Sequence, residues 1–181
     1  MNAISQQDPI WDVVVVGGGP SGATAATDLA RAGRKVAMID RAGRIKPCGG
    51  AIPPRAIRDF AIPPSQIVAR ITSARMVAPS RIGVDMPIDD GYVGMVDREH
   101  FDEWLRERAA QTGVIRITGT FEEFSRDTDG MARLHYRAKG QEQLSSLRAR
   151  MVIGADGAIS NLARAAMPGS KRTPFVFAYH E

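Results

Sequence analysis

The stretch Asp12-Val-Val-Val-Val-Gly17-Gly-Gly19-Pro-Ser-Gly22 decides the fold of this chain of 181 residues. Its run of valines is typical of a strand buried on both faces of a parallel sheet. The glycines that follow match the pattern G-x-G-x-x-G, and the Ala-rich stretch from Ser21 to Ala32 predicts a helix that ends at Gly33. With a second predicted strand from Lys35 to Ile39, the segment predicts a right-handed βαβ unit.

Each glycine of the pattern has its own physical reason. Gly17 permits the tight turn, Gly19 lets a pyrophosphate approach the backbone, and Gly22 lets the helix pack closely on the sheet. The free N–H groups at the helix N-terminus then face the anion. Asp40 ends the second strand, where a carboxylate accepts hydrogen bonds from a ribose 2′-OH and repels a 2′-phosphate. The segment therefore predicts binding of FAD or NAD in preference to NADP, with a structural Gly-rich turn as the alternative.

The amino-acid composition limits the class of protein to which the chain can belong. The chain is 44% hydrophobic and 24% charged, as in globular proteins, and its 6% of aromatic residues argues against a nucleic-acid partner. No run of about 18 apolar residues predicts a transmembrane helix, and the first ten residues lack the features of a secretory signal. We therefore expect a cytoplasmic protein. Cys48 has no second cysteine to pair with, and the three histidines have no metal-ligand spacing, so no metal site is predicted.

A basic cluster lies just after the second predicted strand. One interpretation is that the cluster is part of a solvated surface. The other is that it attracts a phosphate-bearing ligand or an anionic membrane face. Its members are Arg41, Arg44, Lys46, Arg55 and Arg58.

The rest of the chain continues the alternation of strands and helices. Residues 41–65, rich in Pro and Gly, are expected to be loop with one short helix. Hydrophobic periodicity and capping residues predict strands over 67–77, 82–88, 114–124, 132–138, 144–153 and 173–179, and helices over 97–111 and 161–166.

Two further motifs resemble those of the glutathione-reductase-like flavoproteins. Gly154-Ala-Asp156-Gly157 follows the strand Met151–Ile153. An Asp-Gly pair alone is often a turn, but here it resembles the second FAD motif of the aromatic hydroxylase group. The stretch from Val96 to Leu105 resembles the helix whose arginine reaches the FAD pyrophosphate, which implies that role for Arg98; a solvated first-turn residue is the alternative. These resemblances imply an α/β fold with a glutathione-reductase-like FAD-binding Rossmann domain.

The string Lys46-Pro-Cys48-Gly49-Gly50-Ala-Ile-Pro53 resembles the geranylgeranyl reductase family, especially the geranylgeranyl diphosphate and bacteriochlorophyll reductases of phototrophic bacteria. The closing residues Phe175–Glu181 look like theirs too. The family implies that NADPH reduces FAD, which then saturates three of the four isolated double bonds of a geranylgeranyl chain. The product is a phytyl chain, free as diphosphate or esterified to (bacterio)chlorophyll. Such a lipid substrate suggests work at a membrane surface, namely the inner face of the photosynthetic membrane.

Cys48 is the candidate catalytic residue. An unactivated alkene is a poor hydride acceptor, so a proton donor must act with the flavin in a site that excludes water. Gly49 and Gly50 permit close backbone approach, which would bring Cys48 near the flavin ring to donate that proton or to shape the isoprenoid pocket. The alternative is that Cys48 is a small buried hydrophobic residue.

The resemblance also predicts the domain organisation. We expect the FAD-binding domain over 9–65 and 95–172, interrupted by 66–94, which with 173–181 forms part of a substrate-binding domain. A final apolar strand without a partner, and the lack of the family's Gly-Asp motif, predict the N-terminal part of a longer protein that binds FAD weakly and does not turn over alone. The alternatives are a flavin-dependent aromatic hydroxylase-type monooxygenase and an inactive truncated FAD-binding module. The residues expected to contact FAD are Gly17, Gly19, Pro20, Ser21, Gly22, Asp40, Arg41, Cys48, Gly49, Gly50, Arg98, Asp156 and Gly157.

Overall fold

The computed structural model describes residues 9–43, 48–174 and 176, which divide into two compact units. The first unit comprises the described residues up to 43 together with those from 102 onward, and the second comprises residues 48–101. The assignment of a substrate-binding role to residues 66–94 stays a prediction. In chain order the elements are β1 Ile10–Val16, α1 Pro20–Arg31, β2 Val36–Asp40, β3 Ala51–Ile52, α2 Pro54–Asp59, β4 Ala69–Ile71, β5 Ser73–Val77, β6 Gly83–Pro87, β7 Val93–Met95, α3 Arg98–Gln111, β8 Ile115–Arg126, β9 Ala132–Ala138, β10 Leu144–Gly154 and α4 Asn161–Ala166, with 3-10 turns at Pro64–Gln66 and Ser170–Arg172.

The first unit is built on the predicted βαβ unit. Strand β1 lies between β2 and β10 and is parallel to both, and β2 pairs in parallel with β8. Strand β9 pairs antiparallel with β8 and with β10, so that five strands close into a ring. The closure is possible because β8 and β10 are 12 and 11 residues long, and each takes part in both the parallel and the antiparallel pairing.

The valine run forms the centre of this unit, as the sequence predicts. Val14 and Val15 are fully buried, and Leu134 of β9 is fully buried as well. Helix α1 packs Ala23 and Ala26, both without exposed surface, on the parallel sheet. The predicted helix bounds are confirmed to within a residue, and the helix is followed by Gly33 with φ +77°, a conformation that favours glycine.

The second unit differs from the sequence prediction in its strands. The predicted strand over 67–77 is broken at Thr72: β4 pairs with β7, whereas β5 pairs with β6 in a separate hairpin. Strand β7 also pairs with β3, and these two strands are too short for a period of two to show in the sequence. Alternation thus predicts the extended conformation but not the change of partner.

The remaining predicted elements have mixed outcomes. Helix α3 is confirmed, and Asp97 caps it by accepting a hydrogen bond from the Glu99 N–H at 2.9 Å. Of the predicted strand over 173–179, Thr173 and Pro174 have no regular structure, and Phe175 and residues 177–179 lie outside the described residues. Within the described ranges, no helix is both long and apolar enough to cross a membrane.

An ion-pair cluster joins the β8–β9 turn to the neighbouring strands. Asp127 accepts hydrogen bonds from Nε and Nη2 of Arg133 at 2.7 and 2.9 Å, and from Nε of Arg148 at 2.7 Å. Arg148 also donates to Asp129 at 2.6 Å. The hydrogen bonds from Arg133 and then from Arg148 hold the pKa of Asp127 below its ordinary value of 3.8.

This cluster predicts a dependence of stability on pH. Because the pKa of Asp127 is lower in the folded protein, its contribution is complete above pH 3.8 and is lost as the pH falls through the folded value. We expect Asp127→Asn to flatten the fall in the free energy of unfolding below about pH 4, measured by denaturant titration over a pH series. The control is Asp28→Asn, which removes an exposed carboxylate 4.0 Å from Arg31. An acid limb unchanged in Asp127→Asn would contradict the assignment.

Candidate dinucleotide-binding site

The loop from Gly17 to Gly22 connects β1 to α1 and is closely packed. Gly17 has φ +105°, and its N–H donates to the Ile39 carbonyl at 2.8 Å. A Cβ at Gly17 would overlap the carbonyl oxygen of Ala155, and a Cβ at Gly22 would overlap that of Gly17. The loop therefore needs glycine at both positions. Gly17 is needed for the turn, and Gly22 is needed because the first turn of α1 packs against the backbone of Gly17.

Gly19 has different surroundings from these two glycines. It has φ −73°, and no described atom beyond its two neighbours in the chain lies within 4 Å of the place where its Cβ would be. It is the N-cap of α1, and no side chain of the described residues caps the helix there. Because Pro20 has no N–H, the backbone donors of the first turn are those of Ser21 and Gly22, which have no intrahelical partner. Free donors at a helix N-terminus can bind an anion, and the contact of this loop with the bridging phosphates of a dinucleotide stays a prediction.

Asp40 turns toward this loop and not into bulk solvent. Its Oδ2 accepts a hydrogen bond from the Gly18 N–H at 2.7 Å, and its Oδ1 accepts one from the Ala42 N–H at 2.9 Å. The side chain is 24% exposed, and an ionised carboxylate has lone pairs for further donors. The structure thus brings together the glycine loop and the acid predicted to hold the sugar; that role for Asp40 stays a prediction.

Arg106 of α3 belongs to the same group of residues, and sequence reasoning missed it. Its side chain is only 7% exposed, and its Nη1 donates to the Gly18 carbonyl at 3.3 Å and lies 3.5 Å from Asp40 Oδ1. Its Nε donates to Glu103 at 2.8 Å, and Glu103 also accepts from Arg116 at 2.7 Å. Partial burial raises the pKa of Glu103, but the hydrogen bonds from Arg116 and Arg106 outweigh it and hold that pKa below 4.5. The spacing of Glu103 and Arg106 by three residues is the one signal that the sequence offers.

The second motif lies beside the first. The Ala155 N–H donates to the Val16 carbonyl at 2.7 Å, which ties the end of β10 to the end of β1. Asp156 accepts hydrogen bonds from the Ser160 hydroxyl at 2.5 Å and from the Asn161 N–H at 2.8 Å, so its carboxylate caps α4. Gly157 has φ +96°. The local structural role of Asp156 is thus visible, and the contact of Asp156 and Gly157 with FAD stays a prediction.

The Cys48-Gly49-Gly50 string and Arg98 lie in the second unit. Cys48 is exposed, so the alternative of a buried hydrophobic residue is wrong. Gly50 has φ +69°, a Cβ there would overlap the Val96 carbonyl, and its N–H donates to Cys48 Sγ at 3.5 Å. Arg98 is half-buried at the first residue of α3. The contacts of all four residues with a cofactor stay predictions, and Lys46 and Pro47 of the same string lie outside the described residues.

The basic cluster is partly described. Arg41 is exposed, Arg55 pairs with Asp59 at 3.1 Å, and Arg58 pairs with Asp90 at 3.3 Å. Arg44 and Lys46 lie outside the described residues. Exposed pairs of this kind are typical of a solvated surface.

The sequence of this chain is similar to those of known proteins. The model of the family "Pyridine nucleotide-disulphide oxidoreductase" matches residues 11–177. The geranylgeranyl diphosphate reductase of Rhodobacter capsulatus is 58% identical over 171 residues, which are 94% of this chain and 43% of that protein. The enzyme of the same name from Synechocystis is 39% identical over 176 residues, which are 91% of this chain and 43% of that protein. The chain therefore spans less than half the length of these relatives.

Solved structures agree with the fold. A geranylgeranyl bacteriochlorophyll reductase-like protein from Thermoplasma acidophilum has a TM-score of 0.78 and 27% identity, covering 87% of this chain and 42% of that one. The p-nitrophenol 4-monooxygenase PnpA from Pseudomonas putida, at a TM-score of 0.74 and 22% identity, covers 89% of this chain and 44% of that one and shows the shared fold alone. The predicted resemblance to geranylgeranyl reductases and the predicted α/β fold are confirmed. The chain belongs to the pyridine nucleotide-disulphide oxidoreductase family, and its fold is that of a Rossmann-type FAD-binding domain.

Proposed function

We propose that this chain is part of an FAD-dependent reductase that saturates isolated double bonds of a geranylgeranyl chain, with NADPH as the electron donor. The product would be a phytyl chain for (bacterio)chlorophyll biosynthesis. The observation that carries this proposal is the 58% identity to a geranylgeranyl diphosphate reductase over 94% of the chain. The geometry of the Gly17–Gly22 loop is consistent with it.

The residues of the first unit would hold the adenosine diphosphate part of FAD. The N–H groups of Ser21 and Gly22 would bind the bridging phosphates, and the lack of a side chain at Gly19 would let the phosphates approach the backbone. Asp40 would accept hydrogen bonds from the sugar hydroxyls. FAD, once reduced by NADPH, would supply the hydride for the alkene, and the protein would supply orientation and electrostatics.

NADPH needs a different place of contact. A carboxylate at the end of the second strand of a Rossmann unit repels the 2′-phosphate that distinguishes NADPH from NADH. The Gly18 N–H donates to Asp40 Oδ2 at 2.7 Å, which holds the carboxylate beside the Gly17–Gly22 loop. The carboxylate would therefore repel a 2′-phosphate on the sugar of a dinucleotide bound at that loop. This supports FAD as the resident of the loop and NADPH as a donor that meets the protein elsewhere.

Reduction of an isolated alkene also needs a proton. When hydride adds to one alkene carbon, the other carbon accepts a proton, and an acid with a fixed position lowers the barrier. Cys48 is exposed, and Gly50 beside it is locked in a backbone conformation that few other residues adopt. We propose that the Cys48 thiol gives up this proton and is reprotonated from solvent.

Product analysis on the complete protein tests the proposal. The protein is reduced with NADPH without oxygen and offered geranylgeranyl diphosphate or geranylgeranylated bacteriochlorophyll, and the prenyl products are separated by mass. We expect each saturated double bond to add two hydrogens, with one acceptor strongly preferred. Oxygen consumption coupled to NADPH, without a prenyl product, would favour the hydroxylase.

A partition assay with anionic vesicles tests the proposed peripheral association with the photosynthetic membrane.

Cys48→Ala in the complete protein tests the proton donor. We expect alkene reduction to fall by about a hundredfold, the lower end for loss of a general acid, with the FAD content unchanged. Cys48→Ser is the matched control: it keeps the size of the side chain but has a far weaker acid, so it should be nearly as slow. Unchanged alkene reduction at normal FAD content would discard the role.

A further inference from the structure

We infer that Arg106 is a positioning residue that orients the Asp40 carboxylate toward the sugar of the bound dinucleotide. The inference rests on the proposed binding of FAD at the Gly17–Gly22 loop. It assigns to Arg106 a part in that site which no sequence motif indicates.

The burial of Arg106 is the first observation. Its side chain is 7% exposed, and arginine is rarely so buried unless its guanidinium is paired. Its described partners on the nucleotide side are the Gly18 carbonyl at 3.3 Å and Asp40 Oδ1 at 3.5 Å. These two groups already belong to one unit, because the Gly18 N–H donates to the other oxygen of Asp40 at 2.7 Å. The guanidinium therefore braces a carboxylate and the loop peptide to which that carboxylate is bonded.

The packing around Gly18 is the second observation. A Cβ at Gly18 would lie 2.9 Å from Asp40 Cβ and 3.1 Å from Arg106 Cδ. Gly18 occupies a position that the G-x-G-x-x-G pattern leaves open, yet here Asp40 and Arg106 leave no room for a side chain. The loop, the acid and the arginine are thus fitted to one another.

Glu103 holds the guanidinium of Arg106 through an Nε hydrogen bond, apart from the Nη1 contacts with Gly18 and Asp40. Arg106 Nε donates to Glu103 at 2.8 Å, and Arg116 of β8 donates to the other oxygen of Glu103 at 2.7 Å. Asp40, Arg106 and Arg116 line one small recess, which lies at the carboxyl end of β2 and beside the first residues of β8. Ligands of open α/β sheets bind at the carboxyl ends of the strands. A fixed Arg106 would keep the outward lone pairs of Asp40 directed at the sugar hydroxyls, and it would act through Asp40 without touching the ligand.

Two ligands distinguish this role from general support of the fold. The complete protein, stripped of flavin, is titrated calorimetrically with ADP and with 2′,3′-dideoxy-ADP, which lacks the hydroxyls that Asp40 would accept from. Arg106→Met keeps much of the side-chain volume without the charge, and Arg106→Lys restores a cation. We expect Arg106→Met to weaken ADP about tenfold and dideoxy-ADP less than about twofold, and we expect Arg106→Lys to recover part of the loss.

Every outcome decides the inference. An equal loss for both ligands in Arg106→Met would show a merely structural role and overturn it, as would unchanged affinity for ADP. If Arg106→Met does not fold, the same two titrations on Arg106→Lys and on Asp40→Asn decide: a loss confined to ADP in both supports the inference, and equal losses overturn it. Failure of the unaltered protein to bind either ADP or FAD would overturn the proposed function, and the inference with it.

Discussion

Replacing Gly19 by alanine is expected to lower the affinity for FAD by about a hundredfold while lowering the free energy of unfolding by only about 1 kcal/mol, the cost of a poorer N-cap. The two effects differ in size because Gly19 has φ −73° and ψ −177°, which alanine adopts freely, and because no described atom beyond the two neighbouring residues lies within 4 Å of the added methyl group. The methyl would instead lie on the open side of the Gly19 backbone, where the proposed function places the bridging phosphates. A diphosphate that approaches this backbone would collide with it.

Titration of the flavin-free complete protein with FAD and with ADP measures this effect, and thermal unfolding measures stability. The control is Gly83→Ala in the β5–β6 hairpin, where the three atoms nearest to the new Cβ belong to the flexible side chain of Arg75, the closest at 3.0 Å. That variant should bind FAD like the unaltered protein. Retention of full FAD affinity by Gly19→Ala would show that the phosphates do not lie over this loop, and the proposed function would lose its structural support.

The predictable part of the fold is the part with local signals. Three signals each lie within a dozen residues of the chain: the valine run, the glycine pattern and the Ala-rich helix. Because such short patterns predict the local conformation, β1, α1 and β2 can be predicted from the sequence. The N-cap Asp97 and the apolar period after it predict α3 in the same way. These elements depend on hydrogen bonds and burial patterns that are set by near neighbours in the chain.

The unpredicted part depends on residues distant in the chain. Arg106 meets Asp40 across 66 positions and Gly18 across 88, and an arginine next to the buried face of a helix has no signature that foretells such partners. The break at Thr72 likewise depends on which strand each half pairs with. Asp156 shows a third limit, because an acid that caps α4 and an acid that contacts a cofactor look identical in a sequence.

Replacing Gly17 by alanine is expected to destabilise the protein by about 4 kcal/mol or more, the range in which single substitutions are exceptional. Two costs add. A φ of +105° is strained for alanine by about 1–3 kcal/mol, and the new Cβ would overlap the Ala155 carbonyl. The loop cannot move away easily, because the Gly17 N–H is bonded to Ile39 and the Ala155 N–H to Val16. Relief of the overlap would have to separate β1 from β10.

Gly33→Ala isolates the first of these costs, the conformational strain. Gly33 also has a positive φ, +77°, but no described atom beyond its two neighbours in the chain lies within 4 Å of its Cβ position. Its replacement should cost about 1–2 kcal/mol, the conformational penalty alone. Denaturant-induced unfolding of both variants measures the difference, which is the steric contribution of the contact between the two motifs. Equal losses in the two variants would mean that the ends of β1 and β10 yield at little cost, and the close packing of the Gly17 turn against Ala155 would not be what fixes the shape of the loop.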